Sequence, residues 1–352
     1  MGVDFDAWGE SPPLIEQSRS WRAVDLSSIL AGDFESPKPT VGRRTDGVGM
    51  FYAGKVHTIA SESEGGKTWL SLSAAIDELL AGQHVIYLDF EDSEIGIVRR
   101  LLNLQCPREA ILERFHYVRP SDALGAGINA DDLRHLLQTH RPTLTVIDGV
   151  TEAMTLHGMD PLSNKDIATF GRLLPRQIAE TGPAVVCLDH VVKSGENRGR
   201  YALGGVHKLN GLDGAAYVLE NRKPFGHGLM GISTVKIAKD RPGELRSNGL
   251  PGKEGLFWFA DLKLTSHAEG FLEVEVLAPA ERDGSAVRPT KVMAAICVAL
   301  ADKGSMSQRQ IEAVVTGKSK TIRDAIALLQ VEGYVTNGTP VTLIKPFEGG
   351  DC

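Results

Sequence analysis

The sequence predicts an α/β fold whose central, mostly parallel sheet is flanked by helices and extended by antiparallel strands. Three observations predict it. Short apolar runs alternate with helical patterns from Lys55 onward. The first run leads through a glycine-containing loop into an amphipathic helix. Four later runs, up to about Leu277, follow one another without long helices between them.

Composition bounds the possibilities. A chain of 352 residues can bury one large core and a smaller satellite. Its 42% hydrophobic and 24% charged content is ordinary for a globular protein. No apolar run approaches the roughly 20 residues that span a bilayer, and the beginning, MGVDFDAWGE, is acidic, unlike a secretory signal. Cys106, Cys187, Cys297 and Cys352 are scattered, with no CxxC pair or Cys/His cluster, so they read as reduced thiols of a cytoplasmic protein rather than a zinc or disulfide framework. A net charge of -7 argues against a general nucleic-acid coat but leaves room for a local basic surface.

Each element has its own signal. Residues 1–50, rich in proline, glycine and polar residues, read as an arm or linker with a short helix near Leu26–Leu30. VHTIA (56–60), HVIYLDF (84–90), TLTVID (143–148) and AVVCLDH (184–190) read as buried strands. Leu72, Ile76, Leu79 and Leu80 recur at helical spacing between the first two, and Gly82 marks the stop. AAYVLE (215–220), GISTVKIAKD (231–240), GLFWFADLKL (255–264) and FLEVEVL (271–277) form the antiparallel extension. The core thus runs over 51–280, residues 281–290 are a linker, 291–346 a second unit and 347–352 a tail.

The loop Ser61, Glu62, Ser63, Glu64, Gly65, Gly66, Lys67, Thr68 carries the first chemical signal. A phosphate-binding loop reads Gly, four residues, Gly-Lys-Ser/Thr, and Gly66-Lys67-Thr68 supplies its second half, while Ser61 stands where the first glycine falls. Its backbone N–H groups and the helix N-terminus can cradle a polyphosphate such as that of ATP. Lys67 would reach the β- and γ-phosphates and the Thr68 hydroxyl would bind Mg²⁺. Glu62 and Glu64 are compatible with an anion if their side chains face solvent. In VIDG (146–149), Asp148 ends an apolar strand and suits the second metal-site carboxylate. LDFEDS (88–93) offers Asp89, Glu91 and Asp92, of which one can polarise the attacking water.

These elements, in this order, resemble the RecA-like ATPase fold, specifically the RepA-like and DnaB-like hexameric helicases and their RecA/RadA recombinase relatives, over roughly residues 50–245. The resemblance implies a catalytic glutamate at Glu91 and a γ-phosphate sensor at His190. In KIAKDRPG (236–243) it implies Lys239 and Arg241 acting in trans on the neighbouring subunit's nucleotide, in a homo-oligomer taken to be a hexamer. It also implies a bacterial or phage-infected host cytoplasm.

Two stretches are candidates for DNA. KSGENRGRYALGGVHKLNG (193–211) carries Lys193, Arg198, Arg200, His207 and Lys208 among five glycines and one acid, a composition that can mould to a phosphate backbone. A surface loop or a subunit contact is the plainer reading. In the second unit, Val292, Ile296 and Leu300 make one helical face, Ser307 can cap QRQIEAVV, and Ile322, Ala325, Ile326 and Leu329 stripe a third helix. YV, TNGT and VTLI then read as a hairpin. This resembles a winged helix-turn-helix, with Lys318, Lys320 and Arg323 at the start of the helix that meets DNA. Lys and Arg number eight against four acids across 286–346. Such modules also dock proteins.

The function expected is an ATP-dependent, ring-forming DNA helicase or translocase of replication or recombination. The alternatives are a recombinase or junction-processing ATPase, and a non-translocating ATP-switched DNA-binding regulator. A small-molecule kinase would leave the Lys-x-Arg segment and the second unit unexplained. Nothing in the spacing of Asp89, Glu91 and Asp92 demands nuclease chemistry.

Overall fold

The computed structural model describes residues 23–32, 36–125, 127–190, 211–268, 270–279, 290–317 and 319–347. Lys193, Arg198, Arg200, His207, Lys208 and Lys318 lie outside the described residues, as does most of the 281–290 linker. A four-residue helix, α1 (Ser27–Leu30), is wholly exposed. Next come β1 (Pro39–Arg43) and β2 (Gly49–Tyr52), paired antiparallel. Val41, Met50, Phe51 and Tyr52 are buried in the main hydrophobic cluster. The expected arm therefore does not extend to residue 50. GMFY and Val41 supply enough apolar surface to pin residues 39–52 to the core, and the prolines and glycines around them mask that signal.

The central sheet is assembled from β3 (Val56–Ser61), β4 (Val85–Asp89), β5 (Phe115–Val118), β6 (Leu144–Asp148), β7 (Ala184–His190), β8 (Ala215–Lys223), β9 (Met230–Asp240), β10 (Leu250–Pro251), β11 (Phe257–Ser266) and β12 (Leu272–Leu277). Their order is β10-β11-β9-β8-β3-β7-β6-β4-β5, with β12 also pairing β11. From β8 to β5 every pairing is parallel, and from β8 outward through β9 and β11 every pairing is antiparallel. The sheet is thus mostly parallel with an antiparallel extension, as the sequence predicts.

The parallel strands bury both faces, so they read as unbroken apolar runs, yet their residues alternate between two cores. Tyr87 and Val146 pack on one side with α2 (Lys67–Leu80), α3 (Glu94–Asn103) and α4 (Arg108–Arg114). Ile86, Leu88 and Ile147 pack on the other with α5 (Ile128–His140), α6 (Val150–Leu156), α7 (Asn164–Leu173) and α8 (Pro175–Ala179). The register places Ser61 opposite His190 and Asp148 opposite both Asp89 and Leu188. Polar strand ends from four strands thus share the carboxyl edge of the sheet.

The opposite, amino edge is held by a buried polar network. His57 is fully buried, its Nδ1 accepting from the Ala215 N–H and its Nε2 lying 3.1 Å from the Tyr52 backbone. The Tyr52 hydroxyl donates to Asp240 at 2.8 Å, and Asp240 accepts from the N–H groups of Gly243 and Leu245. Asp240 thereby fixes the turn that follows β9.

The second unit comprises α9 (Thr290–Lys303), α10 (Gln308–Val314) and α11 (Ser319–Val331). Ser307 and Gln310 form a capping box on α10. Met293, Ile296, Leu300, Ile311, Ile322 and Leu329 make a separate core. Antiparallel bridges join Met306 to Val341 and Val335 to Leu343. No helix among the described residues is long and apolar enough to cross a membrane.

His57 gives the fold a pH signature. Burial pushes its pKa from 6.5 down to about 4. Between those values the unfolded chain binds a proton that the folded chain refuses, so stability falls as pH drops through that window and is unaffected above it. The expected loss is about 3 kcal/mol, at about 1.4 kcal/mol per pH unit. Urea titrations of wild type and His57→Gln at pH 7.5 and pH 4.5 test this. The variant starts less stable, having lost two buried hydrogen bonds, and shows the smaller pH-dependent decrease.

Candidate active site

The loop after β3 is shaped by close packing beneath it. Ser61 is completely buried, and its hydroxyl donates to the Glu62 carbonyl at 2.7 Å. A side chain at residue 65 would overlap it, since a Cβ there would come within 2.6 Å of the Ser61 Cβ. Gly65 thus makes the room that a glycine at 61 would otherwise supply. Glu62, Ser63 and Glu64 are exposed, and Ser63 and Glu64 line the cleft described below. Two residues of the antiparallel extension hold the loop's carbonyls: Ser233 donates to Gly65 at 2.8 Å and Asn221 to Glu64 at 3.4 Å. Nothing in the local sequence marked them, because they lie more than 150 residues downstream of the loop.

Gly66, at φ +98°, is the N-cap of α2, and no side chain caps the helix there. The unsatisfied N–H groups of its first turn open into a cleft of about 610 Å³. An uncapped 14-residue helix behind a loop of small residues fits a polyphosphate. Phe225 and His227, from the turn after β8, and Ser266 and Leu272, flanking the turn after β11, also line this cleft.

Lys67 is buried, and burial lowers its pKa. Its ammonium lies 3.4 Å from His190 Nδ1, and His190 Nε2 lies 3.2 Å from Glu91 Oε1. Lys67 has only protons to offer, so Nδ1 accepts and the Nε2–H donates to Glu91. Thr68 donates to Asp148 at 3.4 Å, and the Tyr87 hydroxyl donates to the same carboxylate at 2.5 Å. Burial raises the Asp148 pKa to about 6, with the Tyr87 hydrogen bond opposing. Thr68 and Asp148 are the residues that would hold Mg²⁺. When bound, the ion supplies charge that neutralises phosphate oxygens.

Among the three carboxylates at the end of β4, geometry singles out one. Asp89 is fully buried and accepts from the N–H groups of Glu91 and Asp92 and from the Tyr117 hydroxyl. It therefore holds the turn. Asp92 is bound to Arg100 at 2.7 Å. Glu91 faces the cleft, where burial lifts its pKa to about 7, helped by the hydrogen bond its protonated form makes to Glu152 and by the charge of Asp148, and opposed by Lys67. Gly149, at φ +84°, lets Glu91 approach, since a Cβ there would lie 2.6 Å from the Glu91 Cγ. Glu152, in the first turn of α6, is thus a neighbour of the catalytic candidate.

Lys239 and Arg241 do not join this site. β9 runs antiparallel to β8, so they sit on the amino edge, with the Arg241 N–H bonded to Gly214 and the Gly214 N–H to Val56. Five residues of β3 separate that level from Ser61, about 17 Å of extended chain. Arg241 is exposed, whereas the Lys239 ammonium donates to the Leu212 carbonyl at 2.8 Å. In the second unit, Arg323 pairs with Glu312 at 2.8 Å, and at Lys320 only the backbone falls within the description.

Two measurements test the geometry. Gly65→Ala is expected to weaken nucleotide binding at least 10-fold, and adding Ser61→Gly to recover part of it, since that removes the side chain the new methyl would strike. Fluorescent-nucleotide titration reads both. Glu91 accepts a proton only when ionised, so the rate at limiting ATP should fall as pH drops below about 7. Glu152→Gln removes a negative charge beside it and should move that limb to lower pH; a pH profile of kcat/KM decides.

No curated protein matches the chain. Among solved structures, a KaiC-like protein from the hyperthermophilic archaeon Pyrococcus horikoshii is similar over 68% of this chain and 98% of its own, at 11% identity and a TM-score of 0.45. A family model described as an AAA domain matches residues 21–196, half of the chain, and spans the loop, Glu91, Asp148 and His190. The chain belongs to this AAA domain family and is a P-loop ATPase.

Proposed function

We propose that this ATPase works as a homo-oligomeric ring whose sites are completed between subunits, and that it acts on DNA in replication or recombination as a helicase or translocase. The observation that carries the reading is the division of cations between the two sheet edges. Within one subunit, Lys67 faces the phosphate cradle, and Arg100, also at the cleft, is engaged by Asp92. Arg241 lies exposed on the far edge, on a turn clamped by Asp240. An arginine so placed cannot reach its own chain's nucleotide but is open to a neighbour's, where it would stabilise charge on the transferred phosphoryl group. Lys239, bonded to Leu212, fits a role in supporting that turn better than one in reaching across.

In this mechanism the loop N–H groups and Lys67 bind and orient ATP, and Glu91 takes the proton of the attacking water. His190, between Lys67 and Glu91, senses whether the γ-phosphate is present, because a phosphate on Lys67 competes with its Nδ1. That exchange would couple hydrolysis to the basic segment 193–211, which follows directly on β7. The second unit, with three helices, a bridged β segment and a basic excess, supplies a further DNA contact in this reading.

A second reading draws on the Lys67–His190–Glu91 chain and its extension to Glu152. A site so internally satisfied before ATP arrives also suits a slow ATP-timed switch that binds DNA without travelling along it.

The decisive experiment measures ATP hydrolysis with and without single-stranded, forked and four-way-junction DNA. Lys67→Ala is expected to cost about 10²–10³-fold or more in turnover. Arg241→Ala subunits mixed with wild type are expected to depress activity below the weighted average of the two. Strictly additive activities would sink the trans assignment. Turnover indifferent to every DNA would favour the switch.

A further inference from the structure

Three histidines far apart in sequence meet at the amino edge of the sheet, on the side opposite the nucleotide cleft. His84 immediately precedes β4, His116 is the second residue of β5, and His140 is the last residue of α5. One ring nitrogen from each lies within 4.8 Å of the others. His84 Nδ1 and His116 Nε2 are 3.0 Å apart, the His116 and His140 rings stack at 3.6 Å, and the His84 and His140 ring centroids lie 5.4 Å apart. All three are half-buried, so an ion can reach them from solvent.

We propose that His84, His116 and His140 form a three-imidazole site for Zn²⁺ or a similar borderline transition metal, clipping the end of α5 to β4 and β5. The donor set fixes the metal class. Neutral imidazole nitrogens without a carboxylate suit Zn²⁺, Ni²⁺ or Cu²⁺ and disfavour Mg²⁺ and Ca²⁺, which require oxygen. The site is thus chemically distinct from the oxygen ligands Thr68 and Asp148. Nitrogens at about 2.0–2.1 Å from a tetrahedral Zn²⁺ lie about 3.3 Å apart, close to the present His84–His116 separation. His140 completes the set by swinging out of its stack on His116, a side-chain motion at an exposed helix end. A fourth position is left to water.

The local electrostatics agree. Burial disfavours the protonated form of His116 and of His84, and each neutral ring keeps one nitrogen lone pair for a metal. Besides His140, Arg114 acts on His84, and Glu113 pairs with Arg114 at 2.8 Å, offsetting its repulsion of a cation.

The test uses the full chain without a polyhistidine tag, stripped of metal with a chelator. Zn²⁺ is titrated calorimetrically in millimolar Mg²⁺, and the thermal midpoint is followed in parallel. One Zn²⁺ per chain at micromolar affinity or better is expected, with a midpoint that rises with Zn²⁺. His116→Ala and His140→Ala should each weaken binding roughly 100-fold or more, while leaving ATP turnover and the metal-free midpoint near wild type. His135→Ala, an exposed histidine on the same helix, should leave binding intact. X-ray absorption at the zinc edge gives a readout free of variants, with three imidazoles expected around the metal. No saturable binding, binding indifferent to His116→Ala and His140→Ala, or a spectrum with fewer than three imidazoles would each overturn the proposal.

Discussion

In the parallel pairing of β3 with β7, Ser61 lies opposite His190, and in the pairing of β4 with β6, Asp89 lies opposite Asp148. Everything else at the nucleotide site depends on this register. β7 runs between the strand that carries the phosphate loop and the strand that carries Asp148, so His190 stands between Lys67 and Glu91 rather than beside either alone. A slip of one residue would turn Asp148 into the apolar layer and bring Ile147 to the cleft. Alternation between two hydrophobic cores prevents that slip, because Ile86 and Tyr87, or Val146 and Ile147, cannot exchange faces without losing their packing. The site is thus positioned by apolar residues that never touch substrate.

That packing also holds charge where charge is unfavourable. Asp148 and Glu91 have raised pKa values and Lys67 a lowered one, and in all three burial is the largest cause. For the two acids the folded chain binds protons that the unfolded chain releases, so the ligand-free protein loses stability as pH rises through the window between their ordinary values and about 6 to 7. The opposed signs at Lys67 and the acids keep the cluster tolerable, and a bound metal–nucleotide would relieve it further. Local strain of this kind is a common cost of function. Here it has a direct chemical use, because a carboxylate that titrates near neutrality is a better proton acceptor than one at its ordinary value.

Much of this was legible in the sequence. The four buried strands, the loop and its helix, and the antiparallel extension all announce themselves through period and glycine placement; Asp148 ends β6 as read, and Glu91 lies two residues past the end of β4. What stayed hidden has physical reasons. β1 and β2 are short, and their four buried apolar residues sit among prolines and glycines, so composition outweighed period. Ser233 and Asn221 contact the loop only because β8 and β9 complete the sheet beside it. The roles of Asp89 and Asp92 separate only in three dimensions, one beneath a turn and the other on Arg100. The histidines at 84, 116 and 140 are spaced by 32 and 24 residues, with no local pattern to read. Parallel strands bring such distant positions level because each crossover returns the chain to the same edge.

The two edges of the sheet therefore divide the labour. Crossovers deliver strand ends to the carboxyl edge, where Lys67, Thr68, Asp148 and Glu91 would meet phosphate, metal and water. β9, which reverses direction, delivers Arg241 to the amino edge. Because the reversal follows from an antiparallel pairing with β8, no side-chain motion can bring Arg241 to the loop of its own chain. The turn that presents it is fixed by Asp240, which the Tyr52 hydroxyl holds in place, and Tyr52 belongs to the small hairpin pinned over α2. The β1–β2 hairpin thus does more than fill the core, since through Tyr52 it connects the face behind the phosphate loop to the turn that carries Arg241. In the proposed ring, an arginine reaching another subunit would gain from being rigid, because the ordering cost is met on folding rather than on assembly.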